Sequence, residues 1–279
     1  MSATTEEKAE AFRALHAGDP FVIPNPWDAG SARVLTALGF RALATTSSGF
    51  AFTLGRLDGA ATLDEVVDHV AVLARATDLP VSVDLEDGHG ADPGVAISRV
   101  AEAGAVGGSI EDWDRERLYG LDEAVERVRA AVAAARAVGF PFTLTARAEN
   151  HIRGNPDLDD TMARLQAFES AGADVLYAPG LSDLNDIRAL CAAVSKPVNV
   201  LARPNLTFQE LADAGAQRVS VGGSLTWAAV QALVEAATAI RDRGDFSLLG
   251  SGPPADWLEP AKKREGGFPW YAALAVTRG

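Results

Sequence analysis

The chain has 279 residues, with 25 Lys and Arg against 38 Asp and Glu, a formal charge of −13. That sign opposes phosphate backbones and anionic bilayers, which excludes nucleic acid and membrane surfaces as partners. One cysteine, Cys191, excludes an internal disulfide and a cysteine-built zinc cluster.

Residues 1–20 are charged and periodic, which predicts a short amphipathic helix rather than a signal sequence. No apolar run approaches the ~20 residues of a membrane span, so a cytoplasmic location is the default expectation. Eight short apolar or β-branched runs follow: 21–24, 42–47, 81–86, 107–112, 142–147, 175–179, 198–202 and 218–222. Between them, stretches such as 122–138, 159–171 and 225–243 space apolar residues at i, i+3 and i+4, a helical period. Gly39, Gly104, Gly139, Gly172 and Gly215 each stand just before a strand, where glycine ends a helix at little steric cost.

Strand and helix in alternation build a parallel sheet, because parallel neighbours need a crossover. Eight units in a chain of this length predict a closed (β/α)8 barrel, a TIM barrel, over residues 1–244. An open doubly wound sheet fits less well, since the first strand runs into Asn25-Pro26-Trp27-Asp28-Ala29-Gly30 instead of a dinucleotide loop. Residues 245–279 hold a Gly, Pro and Ser-rich stretch and then Trp270 and Tyr271. They form a C-terminal extension expected to pack on the barrel or on a neighbouring subunit.

In such a barrel the chemistry sits where strands end. The third strand ends Val83-Asp84-Leu85-Glu86, and alternation puts Asp84 and Glu86 on one face. The fourth adds Glu111. Singly, each could be a solvated loop acid; together they repel unless a cation sits among them or their pKa values rise. An all-oxygen set suits Mg²⁺ or Mn²⁺. The fifth strand closes on Arg147, able to clamp a carboxylate or stabilise an oxyanion, or simply to pair with Glu149 or a rim acid. The second ends in a turn, Thr45 to Gly49, whose N–H groups and hydroxyls could hold an anionic oxygen. His16 and His69 lie on helices as packing or surface residues, whereas His89 and His151 are close enough in sequence to reach the mouth.

Asp84-x-Glu86-x-Gly88-x-Gly90, Ile110-Glu111-Asp112 and Ala146-Arg147 resemble, in order and spacing, the isocitrate lyase / phosphoenolpyruvate mutase superfamily. Ser47-Ser48-Gly49 and Gly55-Arg56-Leu57-Asp58 fit the same pattern, and the resemblance spans residues 15–245. It implies a (β/α)8 barrel in homodimers or homotetramers, often with a terminal helix exchanged between subunits. It implies Mg²⁺ held by Asp84, Glu86 and Glu111, partly through water. A 2-oxo acid or enolate would then lie against the metal, the turn at Ser47, Ser48 and Gly49, and Arg147, with Asp58 among the catalytic residues.

Three departures bear on the activity. Glu86 stands where the family has Asp, and Gly180 where its isocitrate and methylisocitrate lyases have Glu. The loop from Asp112 to Gly120 lacks the cysteine those lyases carry and the Lys and Asn pattern of phosphonopyruvate-processing members. The expected activity is thus a Mg²⁺-dependent lyase that cleaves a C–C bond of a small 2-oxo acid or related carboxylate through a metal-bound enolate. Arg147 would stabilise charge, Tyr119 or His89 would donate the proton, and the loop would close over the site. A P–C bond mutase or hydrolase acting on phosphonopyruvate is the alternative; a barrel that binds a dicarboxylate without turnover is another.

Overall fold

All eight expected strands form in the computed structural model, which describes residues 3–250. They are β1 (Phe21–Ile23), β2 (Leu43–Ala44), β3 (Val81–Asp84), β4 (Gly107–Glu111), β5 (Thr143–Arg147), β6 (Val175–Tyr177), β7 (Val198–Leu201) and β8 (Arg218–Ser220). Every pairing is parallel, in the order β1-β8-β7-β6-β5-β4-β3-β2. The seam between β1 and β2 carries no ladder. It is closed instead by the Ala44 N–H on Pro24 O at 3.1 Å and by Asn25, whose amide donates to Thr45 O at 2.9 Å. The same Asn25 accepts from the Val221 and Gly222 N–H groups, so one buried side chain ties β1, β2 and β8 together.

The outer layer comprises α2 (Ala29–Ala37), α3 (Ser47–Thr53), α4 (Leu63–Ala76), α5 (Pro93–Glu102), α6 (Leu121–Ala137), α7 (Leu158–Ser170), α8 (Leu184–Ala193), α9 (Phe208–Asp213) and α10 (Ser224–Arg243). Several start on side-chain caps that satisfy otherwise unpaired amides, as Thr62 does for α4 and Asp183 for α8. The apolar stripes of α7 and α8 bury Leu165, Phe168, Ile187 and Leu190 against β5 to β7. A helix before the barrel, α1 (Thr5–Leu15), stops its lower end: Phe12 packs with Phe21, Ile23 and Val106. Gly107 makes room for it, since a Cβ there would lie 2.7 Å from the Phe12 ring.

Two expectations need correction. Residues 45–49 are not a free turn, because Thr46 takes an extended conformation and Ser47 opens α3. Nor does strand geometry continue to Glu86, which has φ +48° after β3 ends at Asp84. The last helix is unusual: of the 20 residues in α10, only Thr226 and Ala239 are buried, while Trp227, Leu233 and Val234 are exposed. Among the described residues no helix is long and apolar enough to cross a membrane. Of the C-terminal extension, residues 251–279, with Trp270 and Tyr271, lie outside the described residues.

Candidate active site

Arg147, the last residue of β5, is the centre of the barrel mouth. Its register partner on β4 is Glu111 and on β6 Tyr177, so adjacent strand ends deliver all three to one place. Its guanidinium touches three carboxylates: Asp84 at 2.7 Å, Glu111 at 3.0 Å and Glu149 at 2.8 Å. The Tyr177 ring lies 5.2 Å from the guanidinium carbon. Asp84 also accepts the Ser47 N–H at 3.2 Å, an amide left unpaired by the helix start. Burial raises the Asp84 pKa, but Arg147 and Ser47 outweigh it and the carboxyl ends below its ordinary range.

Glu86 lies toward the outer side of the mouth, 3.4 Å from Arg115 on the loop after β4. Its Oε1 is buried without a hydrogen-bond partner. Burial first, and then repulsion from Asp84, push its pKa up to about 7. Glu111 is also raised well above the usual range, chiefly by burial, which Arg147 only partly offsets. Beneath them Glu149, fully buried, accepts from Arg147 and Arg153, while its own N–H donates to Asp112.

Two connected hollows open here. An inner cavity of about 240 Å³ runs into the barrel past Ser47, Ser48, Asp84, Arg147 and Tyr177. An outer one of about 420 Å³ is bounded by Asp58, Glu86, Glu111, Trp113, Arg115 and Arg153. Ser47, Asp58, Arg147 and Ile152 border both. Gly49 is buried in the first turn of α3, where a Cβ would meet Thr226 Oγ1 at 2.6 Å.

The residues expected as proton donors, Tyr119 and His89, line neither hollow. Tyr119 lines neither cavity; its ring is buried beneath the loop, with the Arg127 and Arg117 guanidinium groups at 4.6 Å and 5.1 Å. The His89 Nδ1, 3.0 Å from Ala61 O, is also 3.4 Å from Arg115 and 3.7 Å from Glu86, two residues that border the outer hollow. His151 sits in a 3-10 turn, Asn150–Arg153, and lines neither cavity. The loop after β4 is a small hairpin, closed by a Trp113–Leu118 bridge and by the Tyr119 N–H on Asp112 O.

Asp84, Glu86 and Glu111 thus surround one mouth, but with Arg147 among them. Among the described residues no three Asp, Glu, His or Cys groups are placed to ligate one ion directly. The donor chemistry still fits a hard cation: all oxygens, two of the carboxyls raised by burial, and one buried oxygen with no hydrogen bond. Sequence reasoning missed the cavity's polar wall of Asn25, Tyr177, Asn199 and Arg218. Its only signal was polar residues inside otherwise apolar strands, as in Val198-Asn199-Val200.

Comparison with known proteins follows the same lines. The profile of the family described as phosphoenolpyruvate phosphomutase matches residues 12–241. A candidate lyase/mutase from Burkholderia cenocepacia J2315 superposes with TM-score 0.89 at 49% identity, over 95% of this chain and 99% of that one. An oxaloacetate decarboxylase of Bradyrhizobium sp. (strain ORS 278) is 30% identical over 89% of this chain and 90% of its own. The structure of an oxaloacetate acetylhydrolase with its product oxalate matches at TM-score 0.81 and 26% identity, over 90% of this chain and 91% of that one.

Proposed function

Since the chain belongs to the phosphoenolpyruvate phosphomutase family, within the isocitrate lyase / phosphoenolpyruvate mutase superfamily, we propose that it cleaves a carbon–carbon bond of a small 2-oxo acid or related carboxylate with the help of Mg²⁺ or Mn²⁺. The main support is the buried Glu86 oxygen that makes no hydrogen bond, beside Asp84 and Glu111. Those three residues would hold the cation, with water completing its shell, as Mg²⁺ usually requires. When bound, it supplies Lewis acidity, lowering the cost of negative charge on the departing 2-oxo acid.

The chain's own groups do the rest. Arg147 lies on the cavity wall, its guanidinium held rigid by three carboxylates, and stabilises charge as the bond breaks. The Ser48 amide at the start of α3, next to the Ser47 N–H that Asp84 already engages, orients the substrate carboxylate. Asp58, exposed and bordering both hollows, exchanges protons between substrate and water. Trp113 and Ile152 narrow the mouth and limit water entry. The bare apolar face of α10, with Leu233 63% exposed, suits burial in a homodimer or homotetramer.

An assay panel of oxaloacetate, substituted malates and phosphonopyruvate, with and without Mg²⁺, tests the reading. Mg²⁺-dependent cleavage of a carbon–carbon bond is expected. Phosphate release from phosphonopyruvate, with no carbon–carbon cleavage in any substrate, would reassign the enzyme to P–C bond chemistry.

A further inference from the structure

At the floor of the inner cavity lies a cation that the mouth chemistry does not use. Arg218 opens β8 and is only 5% exposed. Its Nε donates to Asn199 Oδ1 at 2.8 Å and its Nη2 to Thr145 Oγ1 at 3.0 Å, while its Nη1 is 3.3 Å from His16 Nε2. All three partners are neutral. His16 Nδ1 is 2.8 Å from Phe12 O, a pure acceptor, so Nδ1 carries the proton and Nε2 accepts from Arg218. Burial and the neighbouring guanidinium hold the His16 pKa down to about 3, which keeps the ring uncharged.

Arg147, by contrast, is surrounded by three carboxylates. In a chain with 38 acidic residues, none of those described is ion-paired with Arg218. Burial lowers its pKa only to about 10, so it stays charged near neutrality. A buried charge without a counter-ion is costly, and a fold carrying one gains when an anion arrives. Three of the five guanidinium N–H groups are engaged, which leaves two. Arg218, Asn199 and Ser220 line the cavity that leads up to Arg147.

We propose that Arg218, with Asn199 and Ser220 beside it, forms an anion subsite on the barrel floor that takes the distal carboxylate of a dicarboxylic substrate. It deepens the lyase reading and rests on it only in taking the mouth for the other end of that substrate. The distance is suitable. Thr145, which Arg218 touches, and Arg147 are two residues apart on the same face of β5, roughly 7 Å along the strand. A four- or five-carbon dicarboxylate can bridge that gap, whereas a monocarboxylate engages one end.

Malate and lactate differ by that distal carboxylate and are suitable probes. Calorimetric titration of the full chain in Mg²⁺ should show malate binding roughly ten- to a hundredfold tighter than lactate, the usual worth of charge-assisted hydrogen bonds. Arg218→Gln should bring malate down to the lactate affinity and leave lactate unchanged. Asn199→Asp places a carboxylate against the guanidinium in nearly the same volume; it should fold normally and lose the preference too. That second variant decides the matter should the first fail to fold. A wild-type protein with no preference for malate, or a preference that survives in folded Asn199→Asp, overturns the subsite. Because binding is read without turnover, a failure of the lyase reading alone leaves this result intact.

Discussion

Replacing Arg147 with methionine removes the cation that touches Asp84, Glu111 and Glu149 at once. The side chains of Arg147, Glu111 and Glu149 are 12%, 4% and 0% exposed, so water cannot take over its role. Breaking a buried pair of this kind by removing one member costs about 3–5 kcal/mol, a large share of the ~5–15 kcal/mol that holds a domain together. For a chain of this size that corresponds to a fall in Tm of roughly 10 °C. Lysine keeps the charge but has no planar fork to reach three partners, and should recover only part of the loss. Mg²⁺ should then stabilise Arg147→Met more than the wild type, because Asp84 and Glu111 would face the ion without the competing guanidinium. At about one hundred times Kd the gain is ~2.7 kcal/mol. Urea unfolding with and without Mg²⁺ measures all three quantities, and kcat should drop ~10²–10³-fold in the same variant. If Arg147→Met unfolds at the wild-type urea concentration and shows no extra response to Mg²⁺, the guanidinium is not the counter-ion of the mouth.

Three further outcomes are expected. His16, held near pKa 3 in the fold, is neutral there but protonates in the unfolded chain below pH ~6.5, so its contribution to stability is lost as pH falls from ~6.5 toward 3. By pH 5 the loss is about 2 kcal/mol, and His16→Gln should remove that part of the acid sensitivity in urea titrations at pH 7.5 and 5. Cys191 lies on α8, outside the barrel, with its thiol raised to about 11 by burial; Cys191→Ser should retain full activity, and methylisocitrate should not be cleaved at a useful rate by either protein. Leu233→Glu on the bare face of α10 should leave the fold intact but shift sedimentation toward the monomer; an unchanged oligomer would rule that face out.

The barrel was legible because its strands are buried on both faces and therefore appear as short continuous apolar runs. The helix-ending glycines preceding several of them all adopt positive φ, from +83° at Gly139 to +104° at Gly104 and Gly215. Searching strand ends brought Asp84, Glu111 and Arg147 together, because parallel register sets the height of each strand's last residue. Glu86 reaches the same mouth, but by a left-handed kink that alternation does not foresee. Proximity in sequence does not by itself put a side chain on the cavity wall: Tyr119 and His89 each follow an acidic motif closely, yet neither lines a hollow, and His89 stands behind Glu86 and Arg115. Arg218 left almost no local trace, since its meaning depends on His16, 202 residues away, and on no acid among the described residues being ion-paired with it.

Crystals grown with Mn²⁺ and oxalate would test the metal site most directly, because Mn²⁺ substitutes for Mg²⁺ among oxygen ligands and is visible by its anomalous scattering. One peak is predicted at the barrel mouth, bounded by Asp84, Glu86 and Glu111, with oxalate between it and Arg147. A protein saturated with Mn²⁺ that shows no peak there, or oxalate bound away from Arg147, would contradict the assignment of this mouth as a metal-dependent lyase centre.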